Sequence, residues 1–153
     1  PSAECEPTIH GARPVTTLSQ VNFPATRSHL NQFIESVVGS AKDQAFDEQK
    51  IGLIRLAVEE ALVNVFNYAY PEAVGEVVLR CLLDDRERFI IEIEDSGAPF
   101  NVLTVSEPIL AVPLSERKIG GLGIHLIRQF TDDVEYRREG GKNLLRLIVG
   151  KAE

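Results

Sequence analysis

Methionine is absent from the chain, even at the first position, where proline stands. Either an initiator was removed or the chain is a piece of a longer protein; the residues leave both open. Cysteine is scarce. Cys5 and Cys81 lie far from any metal-ligand spacing, which argues against a cysteine-built metal site and makes a reduced, cytoplasmic setting the expectation. No apolar run approaches the roughly 20 residues of a membrane span. No charged-then-apolar stretch near the first residue reads as a signal peptide, so no membrane contact is expected. The three histidines, His10, His29 and His125, have no partners at metal or catalytic-triad spacing and read as surface or structural residues. Positive charge is in deficit, with 16 Lys and Arg against 23 Asp and Glu and a net charge of −7. Direct nucleic-acid binding needs many phosphate-neutralising cations and is not expected. A single nucleotide, which meets only a local field, remains open.

What is there suits one soluble domain. The 153 residues can bury a sizeable core, and 44% hydrophobic with 25% charged residues is an ordinary globular balance. Residues 1–14 hold three prolines and read as a disordered tail or linker; residues 15–150 form the domain. Val15 to Phe23 reads as an edge strand ended by Pro24. Thr26 can cap a helix running to about Lys42, whose Leu30, Phe33, Ile34, Val37 and Val38 make one apolar face. Asp47 caps a second helix that continues to about Tyr70, where Pro71 stops it. Gly75 to Asp84 and Glu87 to Asp95 make a hairpin about Asp85 and Arg86. Ser96 to Ile119 lacks a clean period and reads as a lid or binding segment. A short helix from Gly121 to Phe130 and a second hairpin about Gly140-Gly141 complete the chain. This order predicts a two-layer α/β (α+β) sandwich: about five strands, mixed but mainly antiparallel, with helices on one face.

Three sets of residues depart from a plain structural pattern. On the second helix, at about 100° per residue, Ile54, Val58, Ala61 and Val65 form the core stripe, while Glu60, Asn64 and Asn67 form a separate polar stripe. Glu60 and Asn64, four apart, stack one above the other. A carboxylate and an amide oxygen so placed can hold Mg²⁺ and orient an attacking hydroxyl, since magnesium takes oxygen ligands and keeps several waters. The pair also reads as a solvated helix face. Asp95 shares the buried face of its strand with Phe89, Ile91 and Ile93 and therefore needs a donor. An exocyclic amine of adenine is one, and Gly97 would let the base approach; a simple Asp-Ser-Gly turn is the other reading. Gly120-Gly121-Leu122-Gly123 opens a helix, where exposed N–H groups favour a triphosphate. No Lys-Ser/Thr follows it, so it is not a P-loop, and a flexible hinge is its alternative. Arg117 and Lys118 flank this loop and could reach phosphate oxygens.

In order and context, these elements resemble the nucleotide boxes of the GHKL (Bergerat-fold) ATPases. Glu60-Ala61-Leu62-Val63-Asn64 through Tyr68-Ala69-Tyr70 is similar to the N box, Asp95-Ser96-Gly97 to the first glycine box, and Gly121-Leu122-Gly123 to the second. The nearest resemblance is to the small anti-sigma factor and serine-protein kinase branch, with its Gly-Gly-Leu-Gly-Ile helix and its final Gly141-Lys142-Asn143 hairpin. It covers roughly residues 15–150 and implies an ATP-binding kinase domain. The resemblance implies Glu60 as general base toward a substrate serine, Asn64 as magnesium ligand and Asp95 on the adenine amine with Gly97 making room. It also implies Lys118, Gly120, Gly121, Leu122 and Gly123 around the phosphates and Asn143 near the adenine. Tyr68 stands where relatives often carry histidine, which bears on positioning at the helix end. The implied function is partner switching in signal transduction. The chain would hold a sigma factor or similar regulator and, with ATP and Mg²⁺, phosphorylate a serine of a small antagonist protein, as a homodimer. A non-catalytic nucleotide-binding interaction module and a regulatory domain of a larger signalling protein are the alternatives. The ATPase half of a histidine kinase would need upstream phosphoacceptor helices, which the 14-residue tail cannot supply, so that reading holds only if the chain is a piece of a longer protein.

Overall fold

A computed structural model describes residues 5–7, 14–71, 74–101 and 123–150. Strands β1 (Cys5–Pro7) and β2 (Pro14–Pro24) are followed by helices α1 (Leu30–Asp43) and α2 (Glu48–Asn64). Strands β3 (Glu76–Asp84) and β4 (Phe89–Asp95), helix α3 (Gly123–Phe130) and strands β5 (Asp133–Glu139) and β6 (Lys142–Val149) complete the order. The sheet runs β1-β2-β3-β4-β6-β5, and every neighbouring pair is antiparallel. The two-layer α/β sandwich expected from the sequence is thus present. It has six strands rather than five, because Cys5–Pro7, inside the stretch read as a tail, pairs with Pro14–Thr16.

One sheet face carries the core. Val77, Leu79 and Cys81 of β3, Phe89, Ile91 and Ile93 of β4, and Leu145, Leu147 and Val149 of β6 are buried in one cluster with the helices. Against them pack Phe33, Ile34, Val37 and Val38 of α1 and Ile54, Val58 and Ala61 of α2, followed by Val65. These are the stripes that 3.6-residue periodicity selects. The opposite face alternates an apolar row, Val15, Leu82, Ile90 and Ile148, with an ionic one. Arg80 Nη1 donates to Glu92 Oε1 (2.9 Å) and Glu94 Oε1 (3.0 Å), and Arg146 Nε to Glu92 Oε2 (2.6 Å). A one-residue slip of any of these strands would turn charge into the core, so the two faces together hold the register. The loose alternation of β2 has a physical cause. A bulge between Thr17 and Ser19 shifts the pairing by one, so that Ser19, Val21 and Phe23 stand opposite the core residues Cys81, Leu79 and Val77.

Three boundaries differ from the sequence reading. Asp47 caps α2 as expected, its Oδ1 accepting from Lys50 N at 2.8 Å. Thr26 does not cap α1: its hydroxyl is engaged by Ser28 Oγ and His29 Nδ1, and a 3₁₀ turn over Arg27–His29 intervenes. The α-helical bonding of α2 ends at Asn64, and a π-helical turn, Val65–Ala69, carries the chain to Tyr70. Strand β4 starts at Phe89, because Glu87 takes a left-handed conformation (φ 60°) and belongs to the turn. That turn is organised by Asp84, whose Oδ1 accepts from Arg86 N (2.9 Å) and Arg88 N (2.8 Å) and whose Oδ2 accepts from Arg88 Nε (2.8 Å).

Burial pushes the Asp84 carboxyl up, but the N–H groups of Arg88 and Arg86 and the Arg88 guanidinium together outweigh it and hold it below its ordinary 3.8. Its contribution is therefore present above that value and lost as pH falls through the lower folded-state value. Asp84→Ala should cost about 1–3 kcal/mol of stability at neutral pH, with the difference from wild type shrinking in acid, as read by urea denaturation across pH.

Candidate functional site

The first half of the site is the C-terminal end of α2. Asn64 is almost wholly buried at 1% exposure, and its Nδ2 donates to the carbonyl of Glu60 at 2.8 Å. That bond turns the amide so that Oδ1 is free: neither Asn64 Oδ1 nor Glu60 Oε2 has a hydrogen-bond partner among the described residues, and both atoms are buried. Burial, and then the neighbouring Glu59 charge, push the Glu60 carboxyl above its ordinary 4.5. Two buried acceptors without donors cost about 1–3 kcal/mol each, and a hard cation or a hydroxyl donor is the chemistry that relieves them. No group of three His, Cys, Asp or Glu among the described residues is placed to hold a metal. A magnesium ion would therefore be held by the Asn64 oxygen together with water and phosphate oxygens, a donor set that this ion accepts.

The second half is the end of β4. Asp95 is buried, and both of its hydrogen bonds among the described residues fall on Oδ1, from Gly97 N at 2.9 Å and Asn143 Nδ2 at 2.8 Å. Burial, only partly offset by Asn143, Gly97 and the Arg138 charge, leaves the carboxyl above its ordinary 3.8. Asn143 stands directly opposite Asp95 across β4 and β6. Its Nδ2 also donates to Ala98 O (2.8 Å), while its Oδ1 accepts from Tyr136 Oη (2.6 Å), Arg138 Nη1 (3.2 Å) and Phe100 N (3.3 Å). Arg138 Nη1 reaches Gly97 O as well, at 2.9 Å. Asn143 thus fixes the Asp-Ser-Gly loop from beneath.

The two halves meet at the π-helical turn. Ala69 O accepts from Ala98 N at 2.8 Å, and a Cβ on Gly97 would lie 2.3 Å from that same carbonyl oxygen. Gly97 therefore makes room for the backbone of the preceding helix. Beside it the rings of Tyr68 and Phe100 stack with centroids 4.9 Å apart. Such wide turns recur at functional sites because they re-aim side chains within a helix.

Of the residues singled out from the sequence, Glu60 and Asn64 form one group, and Asp95, Gly97 and Asn143 another. Gly123 is the first residue of α3, which packs along α2. Lys118, Gly120, Gly121 and Leu122 lie outside the described residues, as does Arg117. Tyr70 was noted only as the end of the N-box-like segment, and Tyr136 and Arg138 escaped sequence reasoning. The last two were accessible in principle: the Gly140-Gly141 turn, with φ of 58° and 76°, places Glu139 opposite Lys142 and hence Arg138 opposite Asn143.

Because burial raises the folded-state pKa of Asp95, the ionised carboxylate is a stability cost that appears as pH rises through the interval between its unfolded and folded values. Asp95→Asn keeps an Oδ1 acceptor and removes the charge. Its melting temperature at neutral pH should equal or exceed that of wild type, with the gap closing below the ordinary Asp value of about 3.9. Thermal melts across pH read this directly, and a destabilised variant at neutral pH would show that the charge itself holds the loop.

Comparison with known proteins agrees with this geometry. Residues 23–149 match the histidine kinase-like ATPase domain. The chain is 25% identical over 130 residues to the serine-protein kinase RsbW of Bacillus mycoides (strain KBAB4), covering 82% of this chain and 81% of that protein. The same figures hold for the serine-protein kinase RsbW of Bacillus thuringiensis subsp. konkukian (strain 97-27). Among solved structures, the RsbU and RsbW domains of a Mycobacterium tuberculosis protein superpose with a TM-score of 0.61 at 12% identity. That superposition covers 88% of this chain and 33% of the solved one, so this chain spans about a third of it. With a family match across most of its length, over the elements that carry Asn64, Asp95 and Asn143, the chain belongs to the histidine kinase-like ATPase domain family.

Proposed function

We propose that the chain is an ATP- and Mg²⁺-dependent protein serine/threonine kinase that acts as an anti-sigma factor. It would hold a sigma factor or similar regulator and phosphorylate a serine of a small antagonist protein. The observation that carries this reading is the pair of buried oxygens on Glu60 and Asn64 that have no hydrogen-bond partner among the described residues, set on the far side of the π-helical turn from the buried carboxylate of Asp95. The names of the relatives, serine-protein kinases, support it.

In this reading Asp95 receives the exocyclic amine of adenine, with Oδ1 already taken up by Gly97 N and Asn143 Nδ2. Asn64 Oδ1 is the protein ligand to Mg²⁺. The metal's contribution is neutralisation of charge on the phosphates. Glu60 accepts the serine hydroxyl proton as that oxygen bonds to the terminal phosphorus of ATP and ADP leaves. Burial, which raises its pKa, makes it a better proton acceptor than an exposed glutamate. The N–H groups that open α3 at Gly123, with Lys118 and Gly120 to Leu122 before it, meet the phosphates. The phosphate placed on the antagonist adds about two negative charges, enough to expel it from an interface. Dimerisation and a cytoplasmic location belong to the same proposal.

Calorimetry with Mg²⁺ and ATP should show binding by wild type, about tenfold or more weaker binding by Asp95→Asn, and near-normal binding by Glu60→Gln. With an antagonist substrate, Glu60→Gln should lower turnover by about 10²–10⁴. Wild-type turnover should rise with pH as Glu60 ionises, with its midpoint above the ordinary 4.5. No binding at millimolar ATP would overturn the kinase and leave a protein-binding module on this fold.

A further inference from the structure

Tyr70 closes the π-helical turn and touches three parts of the chain at once. Its hydroxyl donates to Glu76 O at 2.9 Å, at the start of β3, and accepts from Ser96 N at 2.8 Å, inside the Asp-Ser-Gly loop. Its ring lies where a side chain on residue 75 would be: a Cβ on Gly75 would fall 2.1 Å from Tyr70 Cε1. Gly75 is in turn held by its carbonyl, which accepts from Ala25 N at 2.8 Å. One residue earlier, Ala69 O takes the N–H of Ala98. The loop that carries Asp95 is therefore hung from Ala69 and Tyr70, at the end of the helical segment that carries Glu60 and Asn64. It is attached by Ser96 N on one side of Gly97 and Ala98 N on the other.

We infer that Tyr70 is a positioning residue that sets the distance between the Asp95 loop and the Glu60–Asn64 end of α2, so that one nucleotide can engage both. This rests on the nucleotide reading above. Tyr70 touches no reacting atom in this role. It acts through Ser96 N and Glu76 O, which tie the loop to the strand beside it. Asp95 itself has independent support from Asn143 and Gly97, so losing the Tyr70 hydroxyl leaves the adenine-binding carboxylate in place and frees its spacing from Asn64. A ligand that uses only the adenine end should not notice the change. A ligand that spans both ends should.

The test compares adenosine with ATP and Mg²⁺, each by calorimetry, for wild type, Tyr70→Phe and Gly75→Ala. Phenylalanine keeps the ring on Gly75 and removes only the hydroxyl; alanine at 75 pushes the ring away and is an independent route to the same loss. Both variants should bind ATP with Mg²⁺ about fivefold more weakly, the effect of one hydrogen bond, and adenosine within a factor of about two of wild type. Equal losses for the two ligands would assign Tyr70 a general structural role and overturn the inference, as would unchanged binding of both. If wild type binds neither ligand, the nucleotide reading falls and takes this inference with it. Wild-type binding with unaffected variants overturns the positioning role alone.

Discussion

A carboxylate buried at the end of a central strand has to be satisfied, and the hydrogen bond from Asn143 to Asp95 is the interaction on which this site depends. It runs straight across the β4–β6 pair, between residues 48 positions apart in the chain. Everything that reaches Asn143 therefore also reaches Asp95. Tyr136 and Arg138 come from β5, the edge strand beyond β6, and the N–H of Phe100 comes from the loop above. Because the amide of Asn143 both donates and accepts, it can tie a carboxylate to a phenol and a guanidinium without placing a second charge against Asp95. Burial leaves the Asp95 carboxyl above its ordinary 3.8, with the Asn143 and Gly97 hydrogen bonds and the Arg138 charge pulling against it.

The other half of the site is organised by withholding partners. On α2 the buried stripe of Ile54, Val58 and Ala61 anchors the helix to the sheet, and that anchorage tolerates two oxygens a turn apart that have no partner among the described residues. Local consistency is broken where a ligand would restore it, as expected of functional positions in otherwise consistent folds. The π-helical turn then bends the chain off the α-helical path directly after Asn64. It brings Ala69 and Tyr70 under the Asp-Ser-Gly loop, and Gly97 is needed there because the Ala69 carbonyl occupies the space of a side chain. The glycine that a base-binding reading assigns to the nucleotide is thus also required by the protein's own backbone.

Much of this was legible in the residues because it rests on short-range rules. Apolar periodicity located α1, α2 and the front faces of β3 and β4; Asp47 announced the start of α2; the four-residue spacing of Glu60 and Asn64 put them on one line of a helix. The misreadings share a cause as well. Thr26 found side-chain partners in Ser28 and His29 that a capping rule does not weigh, the bulge in β2 answers to the strand beside it, and Cys5–Pro7 becomes a strand only because β2 offers an edge.

Sequence by itself determined most of the helices and strands and which of their residues face the core, and it singled out Glu60, Asn64 and Asp95 as departures from a plain structural pattern. Those properties follow from periodicity and turn chemistry within a few residues. The tertiary structure alone decided that Asn143 meets Asp95 and that Tyr70 joins the two halves. Each of these depends on strand order and on chain segments dozens of residues apart being brought within hydrogen-bonding distance, and no local rule reaches that far.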